Sequence, residues 1–231
     1  MTMYDSIGFL APFLEAFTYF LLFEAFLERD TRYGKKQLVV GLVGFACFIG
    51  VCNRFLIYSL ANVILIFIVG VVVSFISYRG TLSKRVLASI MVTVISGISE
   101  VCAAHLVALI SGQGIEHALM IPMYRAAGII VSKILDILIC NAIRVKSELK
   151  YSKMGRKLWM IFLLLFVSSV FVIYLISKLT YESNNQADTV MAIICAFGMF
   201  FITFFSIYLY ERLANQSEEI RAQERYEEHM R

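Results

Sequence analysis

Long apolar runs alternate with short polar ones along most of the chain. Seven apolar segments stand out: Ile7–Leu27, Leu38–Cys52, Phe55–Tyr78, Val86–Ile110, Leu119–Ile143, Leu158–Leu179 and Thr189–Tyr210. A helix that crosses a bilayer needs about 20 predominantly apolar residues, and all of these except Leu38–Cys52 reach that length. Asn53-Arg54 interrupts the apolar pattern after the short segment and reads as a tight turn. A single helix through both flanking runs would overshoot the bilayer about twofold. The pattern therefore predicts an all-α fold: a polytopic membrane helical bundle of seven transmembrane helices. The last helix is expected to run on into a cytoplasmic helical tail.

Composition supports this class. Of the 231 residues, 60% are hydrophobic and 16% charged, and the mean hydropathy is +0.78. An ordinary soluble domain is about 45–50% apolar and about 25% charged, and so much apolar surface also excludes disorder. Only Pro12 and Pro122 are present, which leaves long helices open. The first residues, MTMYDS, contain neither a basic stretch nor a small-residue cleavage site, so the first run reads as a retained helix.

The placement of the charges is more informative than the net +4. The first loop carries Arg29, Arg32, Lys35 and Lys36, and the third carries Arg79, Lys84 and Arg85. The fifth carries Arg144, Lys146, Lys150, Lys153, Arg156 and Lys157, and the tail adds Arg212, Arg221, Arg225 and Arg231. The even loops hold only Arg54 and Lys178. Basic loops stay in the cytoplasm, so the N-terminus is expected outside and the C-terminus inside. Deleting the short second span would place basic loops on both faces, which argues for keeping it. The cations are not arranged as a nucleic-acid footprint, so no nucleic-acid partner is expected.

Two regions follow: residues 1–210 as the transmembrane domain, and residues 211–231 as a cytoplasmic linker helix, the start of a dimerisation helix. After Tyr210 the sequence ERLANQSEEIRAQERYEEHMR is crowded with charge and lacks Gly and Pro. Its Glu, Gln, Arg and Ala are strong helix formers. Leu213, Ile220, Gln223 and Met230 fall near coiled-coil spacing, with Gln216 and Glu227 interrupting the seam. This helix would pair two chains weakly, and Tyr210, Leu213, Ile220 and Met230 are the candidate transmission positions.

Ionisable groups inside spans cost a few kcal/mol each, so each is a candidate functional group. At 1.5 Å per residue, Arg125 is expected about 9 Å below the outer face, His105 about 10 Å, Glu15 about 12 Å and Glu100 about 18 Å. These four are the candidate ligand-binding residues, lining a pocket open to the outside. Lys133 and Asp136 lie deeper, three apart on one helix face, where they can pair with each other. Pairing that only fixes the bundle's register is the competing account.

Five cysteines (Cys47, Cys52, Cys102, Cys140 and Cys195) lie in or at the ends of apolar runs without a CxxC spacing. They read as small buried apolar residues, not a disulfide or metal framework. Cys102 and His105 are three apart, but no orienting Asn or Asp is near in sequence, so a catalytic dyad is not expected. No phosphate-binding Gly loop, HExxH or acidic metal cluster is present. No cofactor or metal is expected, and the chain is not expected to be an enzyme.

The alternation of basic loops across seven spans, and the run GMFFITFFSIYLYERLANQSEEI into a charged helix, resemble the membrane sensor half of AgrC-type quorum-sensing histidine kinases. These are peptide-pheromone receptors with a GHKL-type ATPase domain. In sequence the resemblance is concentrated in residues 198–231. It implies a multi-pass cell-membrane receptor in a two-component system, with an extracellular peptide-like ligand and a homodimer formed through the C-terminal helix. The family's phosphoacceptor His, followed by an acidic residue, and its ATP-binding domain are not legible here: His229 is followed by Met230 and Arg231. The rival expectation is a small integral-membrane substrate-binding subunit of a transporter. It would explain the intramembrane charges but not the charged helical tail.

Overall fold

The computed structural model describes residues 3–31, 34–55, 60–112, 114–146 and 186–230, with scattered helical residues between 160 and 178. Nearly all of these are helical: α1 (Met3–Phe26), α2 (Lys35–Phe55), α3 (Leu60–Ser77), α4 (Leu82–Ser111), α5 (Ile115–Met120), α6 (Pro122–Lys146) and α7 (Gln186–Met230). Among the described residues the fold is all-α apart from two paired dipeptides, β1 (Glu28–Arg29) and β2 (Tyr78–Arg79). They run antiparallel, with Glu28 opposite Arg79 and Arg29 opposite Tyr78.

Among the described residues four helices are long and apolar enough to cross a membrane, over Ile7–Phe26, Lys36–Phe55, Leu82–Ser111 and Pro122–Val145. The apolar stretches Ala61–Ser77 of α3 and Ala187–Met199 of α7 are shorter. Of the expected span Leu158–Leu179 only isolated helical residues are described. The basic stretch 147–157 and the polar stretch 180–185 lie outside the described residues.

The helix edges depart from the apolar runs in an instructive way. The short second run becomes a 21-residue helix because Lys35 and Lys36 form its first turn and Arg54 its last. Asn53-Arg54 is thus helical and not a turn. A cation in the last turn faces the negative end of the helix dipole and stabilises it, so the break moves beyond Phe55. Pro122 opens α6, where its missing N–H costs nothing. α4 ends at Gly112, whose left-handed φ of +67° lets its N–H reach the Leu109 carbonyl.

α4 is the centre of the bundle and touches α1, α3, α5, α6 and α7; α1 packs in addition on α2 and α6. Aromatic rings join α1 to its neighbours: Tyr19, Phe20 and Phe23 of α1 meet Phe45 of α2 and Tyr78 of β2. The Tyr19 ring stands edge-on to Phe45 at 5.1 Å, and its hydroxyl shares a 3.0 Å hydrogen bond with Thr93 of α4. Gly70 lets α3 close on this ring, since a Cβ there would sit 2.8 Å from Tyr19 Cε1.

One end of the bundle brings together the first and third loops and the end of α6. The β1–β2 ladder joins the first and third loops, and buried Asp30 pairs with Arg79 at 3.0 Å. The Asp30 N–H donates to the Ser77 carbonyl. Arg144 of α6 meets Glu24 of α1 at 3.0 Å at the same end. Arg85, also buried, closes the end of α3: it donates to the carbonyls of Ser74, Tyr78 and Gly80, and its guanidinium lies over the Phe75 ring. Carbonyls at a helix C-terminus lack intrahelical donors, so one planar side chain with several N–H groups satisfies what the helix leaves open.

Candidate functional site

α1, α4 and α6 meet around the ammonium group of Lys133. Its Nζ lies 2.8 Å from Glu100 Oε1, 3.4 Å from Asp136 Oδ2 and 3.8 Å from Glu15 Oε2. Each of the three helices contributes at least one charge. Ser96 of α4 donates to Asp136 Oδ2 at 2.7 Å. Ser99 faces the same carboxylate without reaching hydrogen-bond geometry, and Asp136 Oδ1 accepts no hydrogen bond among the described residues. The Asn53 side chain of α2 interacts with the Glu15 carboxylate, and Asn53 Oδ1 accepts from Asn62 of α3 at 2.8 Å.

The helices bring these groups to one level. Glu15 is twelve residues into α1, Lys133 eleven into α6, and Glu100 eleven before the end of α4. At 1.5 Å per residue each lies roughly 16–18 Å from its helix end, half-way along a hydrocarbon core of about 30 Å. On α4 the polar positions Ser89, Thr93, Ser96 and Glu100 are spaced four, three and four apart, so they form one stripe. Thr93 of this stripe meets Tyr19, Ser96 meets Asp136, and Glu100 meets Lys133.

Burial is uneven. The side chains of Lys133 and Asp136 are 5% and 1% exposed, Glu15 13%, and Glu100 56%. From residue 83 to 108 of α4, Glu100 is the one exposed residue. The cluster is therefore closed on the inside, and Glu100 is its one exposed member. Three carboxylates around one ammonium leave it with an excess of acid.

The expected association of Glu15, Glu100, His105 and Arg125 resolves differently. Glu15 and Glu100 share Lys133, which takes the place anticipated for Arg125. Arg125 is exposed three residues into α6. His105 is buried, with Nδ1 on the Val101 carbonyl of its own helix at 2.7 Å. The expected Lys133–Asp136 pairing is present. Ser96 was missed; its signal was the polar stripe along an otherwise apolar helix.

All five cysteines are free. Cys102 is buried, and the Nδ1 of His105 is engaged with backbone. Among the described residues no group of three or more His, Cys, Asp or Glu side chains is arranged to hold a metal ion.

The second notable element is α7, 45 residues long and unbroken from Gln186 to Met230. At 1.5 Å per residue it spans about 68 Å. Its buried positions among the described side chains, Thr189, Ala192, Ala196, Met199 and Ser206, lie on one face, and it packs on α4, the helix that carries Glu100. The candidate transmission positions Tyr210, Leu213, Ile220 and Met230 all fall within it. Leu213 and Ile220 are exposed; the side chains of Tyr210 and Met230 lie outside those described.

Comparison with protein-family models, with curated proteins and with solved structures finds no match for this chain.

Proposed function

We propose that this chain is the transmembrane sensor module of a two-component, quorum-sensing type histidine kinase, embedded in the cell membrane. In this reading seven spans place the N-terminus outside and the C-terminus in the cytoplasm. An extracellular peptide-like ligand enters the outer half of the bundle, and α7 carries the change to a dimeric cytoplasmic helix. The observation that carries the reading is the continuity of α7 together with its packing against α4. A group that binds at Glu100 acts on α4, and α4 is the neighbour of a rod about twice as long as the hydrocarbon core is thick. A ligand can shift such a rod only through its different affinity for two arrangements of the helices.

The test is a fusion of residues 1–231 to a kinase domain with two glycines inserted after Asn215. Each Gly costs about 1 kcal/mol of helix stability, and the insertion turns everything downstream by about 200°. The expected result is loss of ligand-dependent phosphorylation with ligand binding retained; an unchanged response would refute transmission through the tail. Sidedness is checked by cysteine labelling in a background without native cysteines. Positions 32, 81 and 152 should resist an impermeant reagent added outside, and 115 and 185 should react.

The buried Lys133 cluster half-way along the spans also suits a substrate-binding transporter subunit. Uptake of a cationic substrate into vesicles that hold this chain and an ATPase partner would favour that reading instead.

A further inference from the structure

We propose that the Glu100 side of the Lys133 cluster binds the cationic group of an organic ligand, a primary ammonium or a guanidinium, with Glu100 as its first contact. This rests on the reading of the bundle as a receptor and names the chemistry its ligand must carry.

Three observations converge. First, Lys133 has more acid around it than it needs. If Glu100 turned to a second cation, the ammonium would keep Asp136 at 3.4 Å and Glu15 at 3.8 Å. Both of these are buried more deeply than Glu100, so Lys133 would not be left as an unpaired buried charge, the arrangement that costs most. Second, the Glu100 side chain is 56% exposed on a helix whose other residues from 83 to 108 are buried or half-buried. It contacts Lys133 through Oε1, and a carboxylate has two oxygens and about four acceptor sites. Third, Asp136, 1% exposed, has an oxygen that accepts no hydrogen bond among the described residues, with Ser99 beside it. Acceptor capacity inside the cluster thus exceeds the donors that surround it.

A metal ion is the wrong occupant. The three carboxylates converge on the Lys133 ammonium and not on a common point, and no metal-holding group is arranged among the described residues. An alkylammonium or guanidinium fits better. It needs only one or two carboxylate oxygens and forms charge-assisted hydrogen bonds. Exchange of Glu100 from Lys133 to the ligand would also pull on α4 at the level where α1 and α6 meet it.

The experiment uses the full chain in lipid nanodiscs with three probes of one size: n-butylammonium, n-butylguanidinium and neutral n-butanol. Modification of Glu100 by dicyclohexylcarbodiimide is followed by peptide mass spectrometry as the loss of unmodified Glu100, counting both the N-acylurea adduct and any butylamide formed with the amine probe, and the thermal unfolding midpoint is followed in parallel. Both cations should protect Glu100 and raise the midpoint over the same concentration range, and butanol should do neither. Glu100→Gln should weaken the apparent affinity at least about tenfold, the loss expected for one charge-assisted contact. Equal effects of butanol and the cations, or an unchanged affinity in Glu100→Gln, would overturn the proposal. So would a wild-type Glu100 that the carbodiimide never reaches, and this measurement decides the matter even if the variant does not fold. Cation binding without a response in the kinase fusion would count against the sensor reading alone. A transmitted response with no cation binding would count against this inference alone.

Discussion

Replacing Lys133 by Met tests whether one ammonium group joins three helices. At an effective dielectric of 20, charges 3.4 Å and 3.8 Å apart attract by about 4–5 kcal/mol each. Those are the distances from Lys133 to Asp136 and Glu15. The Glu100 contact is shorter, 2.8 Å, but that side chain is more than half exposed, and Lys133 keeps Asp136 and Glu15 when Glu100 is neutralised. Desolvation and repulsion among the carboxylates cancel much of the attraction. The net loss on removing one partner of a buried ion pair is about 3–5 kcal/mol, and Lys133→Met should fall there. Asp136→Asn should cost less, because an amide can still accept from Ser96, and Glu100→Gln should cost least. Adding Glu15→Gln and Asp136→Asn to Lys133→Met should recover part of the loss, since neutral amides need no counter-ion. Denaturant titration of the purified protein in detergent micelles, followed by circular dichroism, gives the three values. A loss below about 1 kcal/mol for Lys133→Met, or a larger loss for Glu100→Gln than for Asp136→Asn, would refute the burial argument.

Other outcomes follow from local geometry. Gly70→Ala should cost about 1–3 kcal/mol, as overpacking does, because the new methyl would meet a Tyr19 ring held by Thr93 and Phe45; an unchanged thermal midpoint would show that the ring gives way freely. Arg85→Lys should destabilise by about 2 kcal/mol, since one ammonium cannot reach the carbonyls of Ser74, Tyr78 and Gly80 together; the thermal midpoint checks this as well. In micelles a maleimide should label Cys47 and Cys195 first, with Cys52, Cys102 and Cys140 reacting only after unfolding, as mass spectrometry of the labelled peptides would reveal. Burial pushes the Tyr78 phenol up, with Glu24 adding to the shift. The folded state then holds a proton that the unfolded chain releases above about pH 10, so the stability this gives is present below that pH and falls as pH rises beyond it. Tyr78→Phe should flatten the decline between pH 9 and 11.

The apolar runs made α1, α2, α4 and α6 legible, because a spanning helix is written in consecutive residues. The two-residue strands were not, since Glu28 and Arg29 have no strand signal without Tyr78 and Arg79 beside them. α5 is six residues long, too short for a period to show. For the site, Glu15, Glu100, Lys133 and Asp136 were all visible as charges in apolar sequence, and the Lys133–Asp136 spacing gave their pairing. The depths were the weak point. α1 starts at Met3 and not Ile7, and α6 at Pro122 and not Leu119. Shifts of three or four residues move a group by about 5 Å along a helix. That deepened Glu15, raised Lys133 and brought Arg125 to the helix end, so a cluster that looked split into two layers forms one.

The α2–α3 hairpin is closed at both of its ends. At one, the β1–β2 ladder and the Asp30–Arg79 pair hold its two entry points together. At the other, Asn53 and Asn62 are joined by a 2.8 Å hydrogen bond. Two rods fastened only at one end can slide past each other, whereas a frame fastened at both ends resists shear. A push at any corner of such a frame therefore displaces the whole plate. One of its corners, Asn53, faces Glu15, and its faces rest on α1 and α4. The hairpin that contributes least charge to the cluster is thus built as its stiff outer wall, against which a change at Glu15 or Glu100 would have to work.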